Sequence, residues 1–64
     1  MSMIPVNSSS IRAVGYDGHH LFVQFHTFAT IYTHYGVPAS VFHSLMNASS
    51  IGSYYNRHIR GRYR

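Results

Sequence analysis

Alternating apolar and polar positions in the first half of the chain give way to helical spacing in the second. The opening MSMIPVNSSS reads as an extended lead-in over residues 1–9, because Pro5 and the serine run resist helix formation. From Ile11 the run IRAVGY is extended, DGHH turns, and LFVQFH returns. Asp17-Gly18 between two apolar runs is a strong hairpin signal, since both residues tolerate positive φ. Leu21, Val23 and Phe25 share one face of the second run, and Phe22, Gln24 and His26 share the other. The third run, ATIYTHY, sets Ile31, Thr33 and Tyr35 against Thr30, Tyr32 and His34. A short link joins the second and third runs, so the pattern predicts a three-stranded antiparallel meander.

The period changes at GVPAS. Pro38 suits the first turn of a helix, where its missing N–H is not needed. Val41, Leu45 and Ala48 follow at helical spacing and Phe42 widens the stripe. Asn47, Ser49 and Ser50 should end this helix and cap the next. On the second helix Ile51, Tyr55 and Ile59 line one side, which leaves Arg57, His58 and Arg60 outward. The predicted fold is α+β, in the order β-β-β-α-α, with two short helices packed on one face of the sheet. Residues 1–64 form a single domain whose basic end, 61–64, is expected to fray.

Composition then limits what such a domain can do. A chain of 64 residues without cysteine builds a small core with no disulfide or thiolate metal site to supplement it. Self-association is the remaining common support for a small scaffold, so a homo-oligomer is expected. All five positive side chains are arginine and Asp17 is the only acid, which favours anionic partners. No apolar run approaches the roughly 18 residues of a membrane span, and no charged-then-apolar leader is visible, so a cytoplasmic protein is expected.

The stretches SSSIRAVGYD, LFVQF, GVPASVFHSLMNAS and SIGSYYNRHIR occur in that order and span most of the chain. Together they resemble the KTSC family, a short domain found alone in bacterial and phage proteins and at the C-terminus of some lysyl-tRNA synthetases. The resemblance implies a compact fold and, through the synthetase association, RNA binding. One departure stands at the centre. A tyrosine–any–tyrosine motif is typical of the family, and here the stretch reads Tyr32-Thr33-His34. Phe28 also occupies a turn position where glycine is common in relatives.

Candidate chemistry concentrates at the C-terminal end. Arg57, Arg60, Arg62 and Arg64 could contact phosphates, because a guanidinium matches phosphate oxygens and also stacks on rings. Tyr54 offers a ring beside them. Tyr32 and His34 share a strand face, and either project from an open sheet to stack on bases or pack beneath the helices. Arg12 on the first strand could extend the patch. The six histidines show no ligand-spaced pair on a helix, so no metal or other cofactor is expected. Asp17 is accounted for by its turn and no serine sits in a nucleophile motif, so no catalytic residue is assigned. The reading is a non-enzymatic nucleic-acid binder, with RNA favoured over DNA. The alternatives are an oligomer that holds a small anionic ligand such as a nucleotide, and a protein-interaction module.

Overall fold

The structure, a computed structural model, describes residues 3–27 and 30–63. Phe28 and Arg64 therefore lie outside the described residues. Strands β1 (Ile4–Pro5), β2 (Ile11–Tyr16), β3 (Leu21–Phe25) and β4 (Ile31–His34) are followed by helix α1 (Ala39–Met46) and helix α2 (Ile51–Tyr54). A single π-helical segment, Tyr55–Ile59, continues α2. The strands form one antiparallel sheet in the order β1-β2-β3-β4.

The sheet thus has four strands, and the expected three-stranded meander is corrected by one. The additional strand lies inside the expected lead-in, where Ile4 pairs with Val14 and Pro5 with Ala13. Proline is tolerated there because β1 is an edge strand, where the ladder can do without its missing N–H. The hairpin between β2 and β3 forms at Asp17–His20, with Gly18 at φ 98°. Asp17 Oδ1 accepts from the backbone N–H groups of His19 and His20 at 2.9 and 2.6 Å. Its Oδ2 meets His20 Nδ1 at 2.9 Å. These contacts to the ionised carboxylate, the backbone N–H of His20 foremost, hold the Asp17 carboxyl well below its ordinary range.

Cross-strand pairing places Leu21 opposite His34 and Val23 opposite Tyr32. Directly paired residues share a face, so Tyr32 and His34 stand on the side covered by the helices. The core on that side comprises Ile11, Val14, Leu21, Val23, Val37, Leu45, Tyr55 and Ile59. Each fully buried aliphatic side chain contributes about 1.5–3 kcal/mol relative to exposure. The two helices supply Leu45, Tyr55 and Ile59, as the spacing predicts, with Val41 and Ile51 half-buried beside them. Tyr16 stacks on Phe42 with ring centroids 4.6 Å apart and sends its hydroxyl to the Val37 carbonyl, which fastens β2 to the start of α1. Ser50 caps α2 by accepting from Ser53 N–H at 3.4 Å.

Closure of the last turn is less regular. Arg60 N–H donates to the Tyr55 carbonyl at 2.9 Å, an i→i−5 bond. In an α-helix a residue five positions on is rotated by about 140° from its start, given 3.6 residues per turn. The wider π turn brings Arg60 back towards the side that carries Tyr55. No helix among the described residues is long and apolar enough to cross a membrane.

Candidate nucleic-acid interface

Two grooves open on the helix side of the molecule. The first lies between the β3–β4 edge and the π-helical end, and is lined by Phe25, Tyr32, Tyr55, Asn56 and Arg60 around a volume of about 370 Å³. Its rings meet edge to face: Phe25 lies 5.6 Å from Tyr32 and 5.5 Å from Tyr55 between centroids. That arrangement suits the ring quadrupoles and leaves Tyr32 44% exposed at the groove wall. Arg60 is exposed at the other wall. Asp17, the sole acid in the chain, is committed to His20, so no acidic side chain is left to neutralise Arg60 or the other arginines.

The base of the groove is held by a polar chain. His34 Nδ1 faces the Tyr63 carbonyl at 3.2 Å, and a carbonyl can only accept. In the neutral ring Nδ1 therefore carries the proton, and Nε2 accepts from the Tyr55 hydroxyl at 2.8 Å. His34 thus ties the sheet edge to both the π-helical turn and the end of the described chain. Burial pushes the Tyr55 hydroxyl above its ordinary pKa of 10.0, and neighbouring Tyr32 adds to the rise against the opposing pull of Arg60.

The structure separates the remaining sequence candidates. Tyr32 and Arg60 meet in this groove. His34 sits behind it, engaged on both ring nitrogens. Tyr54 is half-buried and packs its ring against His58, with centroids 4.4 Å apart. Arg57 and Arg62 are exposed, and Arg12 is exposed on β2 where the register with β3 shifts. Phe25, Tyr55 and Asn56 were not among the site candidates. Phe25 and Tyr55 carry the apolar spacing of core residues, which they also are, and Asn56 gives no signal in sequence.

A second groove of about 410 Å³ runs between residues 7–10 and the start of α2. It is polar, with Asn7, Ser8, Ser9, Ser10 and the serines around Ser50 as its lining, and Asn56 stands between the two grooves. Ser8 Oγ accepts from the N–H groups of Ser10 and Ile11. On the helix-free face of the sheet, His20 meets Tyr35 edge to face at 5.0 Å and lies 6.2 Å from Phe22.

A family model for the KTSC domain matches residues 7–63. A protein of Tsukamurella paurometabola is 38% identical over 63 residues, which cover 97% of this chain and 94% of that protein. The crystal structure of a KTSC domain protein from Yersinia pestis superposes with a TM-score of 0.92 at 32% identity, over 98% of this chain and 90% of that one.

Proposed function

The chain belongs to the KTSC family, and from that premise and the aromatic groove we propose that it binds single-stranded nucleic acid, RNA in preference to DNA, without catalysing a reaction. The observation that supports this is the meeting of an exposed Tyr32 ring with Arg60 and Asn56 in one half-open groove. Tyr32 offers a face on which an unpaired base stacks, the Asn56 amide offers both a donor and an acceptor to a base edge, and Arg60 meets the adjoining phosphate. Arg57 and Arg62 extend the positive track beyond the groove, and Arg64 would lengthen it. His34 serves from behind, by holding Tyr55 in the wall. The choice of RNA rests on the synthetase-appended relatives that the resemblance brings.

The small-anion alternative is less well supported. Its arginines lie at one groove and its hydroxyls and helix start at the other, so no single cavity gathers both. Binding of a short unstructured RNA, followed by fluorescence anisotropy over a salt series, tests the proposal. Arg57→Ala with Arg60→Ala should lower the slope of log affinity against log salt by about 1.4, at roughly 0.7 per lost phosphate contact on a single strand. Tyr32→Ala should weaken binding by about 1–3 kcal/mol at all salt concentrations, the usual contribution of one stacked base. If the double arginine variant binds as the parent does throughout the series, the proposal fails.

A further inference from the structure

The two edges of the sheet differ. At one side β1 is two residues long and ends in Pro5, a short edge that discourages further pairing. At the other side β4 is four residues long, Ile31–His34, and is preceded and followed by Thr30 and Tyr35. From Thr30 to Tyr35 there is no proline and no residue of fixed charge, the usual guards of an edge strand. Three of the four large hydrophobic residues exposed among those described stand on it: Ile31 at 43%, Tyr32 at 44% and Tyr35 at 57%.

We infer that β4 is the interface for a second copy of this chain, paired antiparallel across a two-fold axis at Thr33. The register follows from symmetry. A two-fold axis perpendicular to a continuous sheet pairs residues that share a face, so the axis passes through a residue and not between two. Centred on Thr33, it sets Ile31 against Tyr35 of the second copy on the helix-free face, and Thr33 against its own equivalent. On the helix side it sets Tyr32 against His34 of the second copy. Exposed aliphatic then meets exposed aromatic, a favourable cross-strand pair, and threonine meets threonine. An axis through Tyr32 would instead place Ile31 against half-buried Thr33 and leave Tyr35 without an apolar counterpart in β4.

Charge permits the same arrangement. The chain carries a formal net charge of +4, but its described arginines lie on β2 and at the helical end, so no like charges face each other along the seam. A four-residue edge with three side chains buries less than the roughly 1,200 Å² of a standard interface, which places the dimer in the weak, concentration-dependent class. Its product is an eight-stranded sheet with both aromatic grooves on one side, adjacent across the axis. This inference stands on the sheet edge alone and does not depend on what the groove binds.

The absence of cysteine from the chain gives a clean test. Light scattering coupled to size exclusion, from micromolar to millimolar protein, should show a monomer–dimer equilibrium. Ile31→Lys with Tyr35→Lys, both at exposed positions, should shift it to monomer while the circular dichroism stays native. Thr33→Cys should cross-link to a covalent dimer under copper phenanthroline, since directly opposed Cβ atoms lie about 5 Å apart, near disulfide reach. Ser44→Cys, exposed on α1, should not. A monomer at every concentration overturns the inference. So does a dimer that survives the double lysine variant, or one in which Cys at 33 cross-links no faster than Cys at 44, because either would place the contact elsewhere. An edge reserved for a foreign strand would appear as the monomeric outcome.

Discussion

Replacing Tyr55 with phenylalanine removes a single oxygen from the wall between groove and core. The ring itself, 5% exposed, keeps its edge contacts with Phe25 and His34. What is lost is the hydroxyl's donation to His34 Nε2 at 2.8 Å. An intramolecular hydrogen bond of this kind contributes about 0.5–1.5 kcal/mol net, and a partner left unsatisfied adds to the cost. His34 is half-buried, so water can meet part of that need. The expected loss is about 1.5 kcal/mol, which in a domain of this size lowers Tm by roughly 6–12 °C. At alkaline pH the comparison changes. Burial raises the Tyr55 pKa above 10.0 in the folded state, so the folded protein favours the neutral phenol. The associated stability is fully present below the unfolded value near 10 and is lost as pH rises through the raised folded value. Phenylalanine cannot ionise, so the gap between parent and variant should narrow above that point. Thermal melts followed by circular dichroism at neutral pH and across the tyrosine titration range measure both effects. Equal Tm values at neutral pH, or a gap unchanged at high pH, would refute the reasoning.

Two further outcomes follow from local geometry. A Cβ at Gly52 would lie 2.5 Å from Ser10 Oγ, so Gly52→Ala alone should forfeit much of the helix-propensity gain of up to about 1 kcal/mol. Combined with Ser10→Ala it should recover that gain; a urea-denaturation cycle in which the two changes are merely additive would argue against the close approach. Asp17→Ala should remove the acid sensitivity of the hairpin. Because the folded pKa of Asp17 is depressed, its contribution is present above the ordinary value of 3.8 and is lost as pH falls through the folded one. Parent and variant urea midpoints should therefore converge in acid, and parallel profiles would contradict the turn contacts.

Much of this architecture was legible in the residues because local chemistry and period agreed. Asp17-Gly18 between apolar runs fixed a hairpin, and the stripe Ile51, Tyr55, Ile59 marked the buried side of the last helix. β1 was not legible, because two residues ending in proline carry no alternation and pair only when β2 presents an open edge. The π turn was equally hidden, since an apolar residue four positions after another satisfies either helix geometry. Alternation on β4 correctly grouped Tyr32 with His34, yet it could not say which sheet face the helices would cover. That face decides that His34 faces Tyr55 and Tyr63 while Tyr32 lines the groove. Asn56 entered the site only because the π turn placed it beside Arg60.

The sheet order repeats the chain order, and that has a consequence for the entropy of closing the fold. Each strand pairs with its sequence neighbour, so every pairing joins ends separated by a short loop, and loop-closure entropy grows with the logarithm of that separation. The distant connections are few in kind. Tyr16 reaches Val37 across 21 positions, and His34 reaches Tyr63 across 29. Both fasten the helical half to the sheet. The chain's long-range ordering is thus concentrated in a single event, the docking of helices onto a meander whose own hydrogen bonds are local.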